Sequence, residues 1–124
     1  MYIHHINIKA PIELLEQEKQ FFCDALSLHE GYRPTYSNKG YWLYSEDKAI
    51  VHLTESKVHF RNERQGFFDH VAFQTKGLKK VVQTLENMNI KYSIGYIAEC
   101  DMTQIFFKAP SNTKIEVNFI NEKI

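Results

Sequence analysis

The chain repeats its own pattern, and that repetition limits its possible folds more than any single motif does. The stretch Phe68-Asp69-His70-Val71-Ala72-Phe73 reads as a strand with a histidine inside it, and His4-His5-Ile6-Asn7-Ile8 opens the first half in the same way. Further on, His52 corresponds to Glu116, and Tyr41-Trp42-Leu43-Tyr44 falls against Gln104-Ile105-Phe106-Phe107, all at nearly one offset close to half the chain. A shared period of this kind points to an internal duplication, in which each half leaves an apolar face that only the other covers. A lone half of about 60 residues would be marginally stable. The 124 residues are therefore expected to form one α+β domain, 1–124, made of two tandem βαβββ modules, 1–55 and 67–124, with 56–66 as the linker.

The local patterns agree with that division. Residues Tyr2 to Lys9 alternate as a half-buried strand does. Pro11 then sits where a first-turn proline is tolerated, and Ile12, Leu15, Phe22 and Leu26 form one helical stripe opposite the polar Glu13, Glu16, Gln17 and Gln20. Three strand-like runs follow, His29–Tyr36, Tyr41–Tyr44 and Ala49–Thr54, separated by the turn-forming Ser37-Asn38-Lys39-Gly40 and Ser45-Glu46-Asp47-Lys48. In the second module the order is a strand over Phe68–Thr75, then a helix marked by Leu78, Val81, Val82, Leu85 and Met88. Strands over Lys91–Ile97, Met102–Lys108 and Thr113–Phe119 complete it.

Charge and composition remove several classes of function. Lys+Arg 15 balance Asp+Glu 15, so no basic field is present for a nucleic-acid backbone. No run approaches the ~18 apolar residues of a membrane span, and the start of the chain lacks a basic segment followed by an apolar one, so a cytoplasmic protein without membrane contact is expected. Cys23 and Cys100 are far apart in sequence and outside any CxxC spacing, which suggests two buried thiols in a reducing compartment.

Strand parity then selects candidate site residues. Ile6 and Ile8, and Val71 and Phe73, form the helix-facing sets of the two opening strands, which turns His5 and His70 to the other face. In the closing strands Val51 and Leu53, and Ile115, Val117 and Phe119, are the apolar sets, which turns His52 and Glu116 the same way. Should the two sheets curl around one central cavity, His5, His52, His70 and Glu116 would converge. Three imidazoles and a carboxylate at one point are costly to bury unless a cation binds them, so a divalent metal is expected there. Asn7 and Gln104 are polar candidates on the same faces, while Tyr36, Tyr41, Tyr44, Tyr96 and Phe106 fit either a cavity wall or ordinary strand packing. His4, His29 and His59 read as surface residues, and Arg61 and Arg64 as charges of an exposed linker.

The stretches His5-Ile6-Asn7-Ile8, Ile50-Val51-His52-Leu53, Phe68–Phe73 and Lys114–Phe119 resemble the paired βαβββ modules of the vicinal oxygen chelate superfamily, over essentially the whole chain. That superfamily includes glyoxalase I, extradiol dioxygenases, fosfomycin-resistance enzymes and bleomycin-binding proteins. The resemblance implies a glyoxalase-like fold, with His5, His70 and Glu116 on the three common metal positions and His52 on the fourth, where glyoxalase-type members usually carry glutamate or glutamine. It implies Zn, Ni, Fe or Mn as the metal and a homodimer. The activity implied is chelation of neighbouring oxygens of a small substrate with stabilisation of an enolate-like anion, with Glu116 and His52 as catalytic groups. A lyase or isomerase resembling lactoylglutathione lyase and a dioxygenase both fit that chemistry; the alternative is a metal-free, bleomycin-resistance-type binding protein. Two departures bear on the choice. The turn before the last strand is Ala109-Pro110-Ser111-Asn112 where many relatives have Asp-Pro-Asp-Gly, with Asn112 suited to positive φ, and Phe106 stands near the place of the tyrosine common in extradiol dioxygenases.

Overall fold

A computed structural model describes residues 1–124, which form two compact units, Met1–Arg64 and Gln65–Ile124. In the first, the order is β1 (Ile6–Ala10), α1 (Ile12–Leu26), β2 (His29–Gly31), β3 (Gly40–Ser45) and β4 (Lys48–Glu55). In the second it is β5 (His70–Gln74), α2 (Leu78–Asn87), β6 (Tyr92–Ile97), β7 (Met102–Lys108) and β8 (Lys114–Ile120), with a 3-10 turn at Ala98–Cys100. The strand orders are β1-β4-β3-β2 and β5-β8-β7-β6, the same arrangement twice. The opening strand of each unit runs parallel to its closing strand, and the other pairs are antiparallel. Because a parallel pair cannot be joined by a tight turn, the helix carries the chain from one edge of the sheet to the other. None of the helices is long and apolar enough to cross a membrane.

Each sheet is held by one apolar face. Leu15 and Phe22 of α1 are fully buried with Leu43, Val51 and Leu53 of the first sheet, and Leu78 and Leu85 of α2 are buried as are Ile105, Ile115, Val117 and Phe119 of the second. The α1 stripe is broader than the sequence pattern suggests: Leu14, Phe21 and Ala25 are buried too, whereas Ile12 and Leu26 are only half-buried. At the start of α2, Gly77 adopts φ 90° and the Glu122 carboxylate accepts hydrogen bonds from the Gly77 and Leu78 backbone N–H groups at 2.8–3.1 Å, an anionic cap on the positive end of the helix.

Four local expectations are corrected. The opening strands are shorter than the alternation suggests, and for one reason: continuing the Ile6–Val51 register backwards sets Tyr2 against the Glu46-Asp47 turn, and continuing the His70–Lys114 register sets Phe68 against Asn112. Both partners run out into turns, and Asn112 holds the positive φ of 65° that its side chain tolerates. The second strand ends at Gly31, not Tyr36, since Pro34 removes a ladder donor and Arg33 turns its guanidinium to the Asn38 carbonyl at 3.2 Å. The repeat is also one residue out of step in its middle: Trp42 lies opposite His52 and Phe106 opposite Glu116, so Trp42 matches Phe106, and Tyr41 and Gln104 occupy opposite faces. Finally, Cys100 is exposed in the 3-10 turn and Cys23 half-buried.

Candidate functional site

The face of each sheet that points away from its helix carries the residues of interest. In the second unit, Glu116 stands directly opposite Ala72, two residues on from His70, so both side chains leave the same face. His70 Nε2 lies 2.9 Å from Glu116 Oε2, with Glu116 buried and His70 about one-third exposed. On its other nitrogen, His70 Nδ1 donates to Asp69 Oδ2 at 2.7 Å, since a carboxylate only accepts. Gln104 Nε2 donates to Glu116 Oε1 at 2.6 Å, fixing the carboxylate from the neighbouring strand. The Asp69 carboxyl is held below its usual range, first by the hydrogen bond from His70 and then by Lys114, whose Nζ is 3.4 Å away.

With Nδ1 donating to Asp69, the 2.9 Å approach of His70 Nε2 to Glu116 Oε2 needs a positive charge shared by the two atoms. A proton satisfies that requirement, and so does a divalent metal. A carboxylate that orients the far nitrogen of a histidine is the support that metal-ligating histidines usually have. His70 and Glu116 thus fit a metal by donor type and by orientation.

The equivalent pair in the first unit is built differently. His5, just ahead of β1, and buried His52 stack face to face, with centroids 3.8 Å apart and planes 9° from parallel. Trp42 stacks on His52 as well, at 4.0 Å and 13°. His52 Nε2 lies 3.1 Å from the Ala49 carbonyl, which fixes the proton on Nε2 and leaves the lone pair on Nδ1. Burial, then the neighbouring His5, lowers the His52 pKa from its ordinary 6.5, so the ring is neutral at pH 7. An imidazole binds a metal in its own plane, and two stacked, near-parallel planes share no such point. As stacked, only one of these two rings can serve a given metal.

His5, His52, His70 and Glu116 therefore stand as two pairs, one in each unit, and no group of three or more His, Cys, Asp or Glu side chains is gathered in a form able to hold a metal ion. Of the polar candidates, Gln104 joins the site through Glu116, while Asn7 accepts from Thr54 Oγ1 at 2.8 Å. His4 is exposed, with its Nδ1 2.9 Å from that of His5, and His59 pairs with Glu63 at 2.7 Å in the linker. Phe106 presents its edge to His70 at 6.3 Å between centroids. Asp69 was not singled out by sequence; its signal was its place immediately before a strand histidine.

No protein-family model and no curated protein matches the chain. Solved structures do. A glyoxalase/dioxygenase from Nostoc punctiforme is 20% identical, with a TM-score of 0.76 over 98% of this chain and 92% of its own. A glyoxylase/bleomycin resistance protein/dioxygenase domain from Frankia sp. EAN1pec is 13% identical, with a TM-score of 0.75 over 97% and 98%. The chain has the glyoxalase-like fold. Fosfomycin resistance protein FosX from Listeria monocytogenes, solved with Mn(II) and sulfate, shares this fold at 13% identity and a TM-score of 0.66, over 93% of this chain and 88% of that one. The glyoxalase-like fold brings a frame common to several chemistries and leaves the reaction to the side chains it carries.

Proposed function

We propose that this chain is a metal-dependent enzyme acting on a small molecule, with His70 and Glu116 holding a divalent cation. The observation that carries the reading is the His70–Glu116 contact at 2.9 Å, flanked by Asp69 and Gln104, which a cation bound by both side chains would complete. Such a cation, when bound, supplies a Lewis acid for two neighbouring oxygens of a substrate and stabilises negative charge developing on them. The remaining work belongs to the chain. Asp69 keeps the His70 lone pair on Nε2, Gln104 restrains Glu116, and Phe106 packs its edge against the His70 ring. In the first unit the neutral His52, with its lone pair on Nδ1 and its ring clamped by Trp42, has the form of a proton acceptor. One nitrogen and one carboxylate leave open positions, which suits a lyase, an isomerase or an oxygenase. FosX, solved with Mn(II), is a precedent for a metal on this fold.

Elemental analysis of protein purified without chelator tests the reading. About one Mn, Fe, Ni or Zn per chain is expected, lost in His70→Ala and in Glu116→Ala; a wild type without stoichiometric metal, even after incubation with each ion, would overturn it. Pairing of two chains is part of the proposal, to be checked by light scattering.

A further inference from the structure

The closing row of the second sheet carries a charge pattern that the metal reading does not use. Lys108 and Lys114 stand directly opposite each other on β7 and β8, and Lys114 stands directly opposite His70. Continuing the Tyr92–Phe107 register by one residue brings Lys91 against Lys108. Three lysines and a histidine thus form one cross-strand row. Like charges placed opposite one another on a sheet repel, and a bound anion removes that repulsion. The same three lysines line a pocket of about 520 Å³ together with Tyr92, Phe106 and Phe107, and no aspartate or glutamate lines it. That volume suits a small organic ligand. Phe106 and Lys114 belong both to this pocket and to the surroundings of His70: the first meets the His70 ring edge-on, the second reaches Asp69 at 3.4 Å.

From these observations we infer that the pocket binds a small organic anion with a flat apolar body, its carboxylate or similar oxyanion on the Lys91–Lys108–Lys114 row and its body against Phe106. The inference rests on the proposed metal reading only in taking this anion to be the substrate, whose reacting end then points along the row toward His70. Lys91 and Lys108 become the residues that choose acidic over neutral molecules.

Calorimetric titration of metal-free full-length protein with 2-naphthoate, and with the neutral 2-naphthamide as its uncharged counterpart, tests this. The wild type is expected to bind naphthoate at least tenfold more tightly than the amide. Lys91→Gln/Lys108→Gln should remove that preference, Lys91→Arg/Lys108→Arg should restore it, and Phe106→Ala should weaken both ligands. Both lysines are exposed, so the variants keep the fold, which far-UV circular dichroism checks. Equal affinity for acid and amide, equal affinity in the wild type and the Gln/Gln variant, or no binding of naphthoate would overturn the inference. Because the titration uses no metal, charge-selective binding in a protein that never takes up metal would sink the metal reading and keep this one.

Discussion

The two units carry one frame with two opposite solutions at equivalent places. On the first sheet, His52 lies against rings: Trp42 on one side, His5 on the other, its outer nitrogen tied to a carbonyl. On the second, Glu116 lies against ions and amides: His70, with Asp69 behind it, and Gln104. Both positions come from the same register, the Trp42–His52 and Phe106–Glu116 pairs of matching ladders. The sheet therefore fixes where a side chain emerges, and the neighbours fix whether it sits as a neutral stacked ring or in an ion-pair and amide network. The repeat keeps the first property and changes the second.

That contrast can be broken first at the ionic side. His70→Ala and Glu116→Ala are expected to lower Mn(II) or Zn(II) affinity by ~100-fold or more, beyond the range typical of lost supporting groups, while Trp42→Leu leaves it unchanged; equal losses in competition titrations would erase the distinction. Asp69→Asn comes next. It keeps the shape but removes the charge that orients His70, with ~10–100-fold weaker metal binding expected. Gln104→Leu removes a hydrogen bond to a carboxylate, a contact of about 1.5–3 kcal/mol, so ~10-fold weaker binding is expected by the same titration.

On the ring side the effects are smaller and show in stability. Trp42→Leu forfeits stacking of about 0.5–1.5 kcal/mol in urea unfolding at pH 7.5. For His52 the sign follows from its lowered pKa: the unfolded chain binds the proton more readily, so the stabilisation is present above 6.5 and is lost as pH falls through the lower folded value. His52→Gln should flatten the fall in stability between pH 7 and pH 5, and an unchanged slope would show that another group carries it.

Much of this frame was readable from residues alone. The alternation around His70 and around Glu116 assigned faces correctly because Val71, Phe73, Ile115 and Val117 leave little choice about which side is apolar. The strand ends were not readable from their own residues, since Tyr2 and Phe68 fail as strand only because their partners have already turned. The slip between Tyr41 and Gln104 has a related cause. Aromatic residues fit either face of a strand, and only the ladder register shows that Trp42 is the partner of His52. Within the site, residue types predicted donors for a metal; the stacking of His5 on His52 depends on ring orientation, which no spacing encodes.

Whether a divalent cation completes the His70–Glu116 pair decides the proposed function. Anomalous diffraction from crystals of the full chain soaked in Mn(II) tests it most directly. One peak is expected within ~2.0–2.3 Å of both His70 Nε2 and Glu116, with His52 still stacked on Trp42. A peak that avoids His70 and Glu116, or no peak at saturating Mn(II), would contradict it.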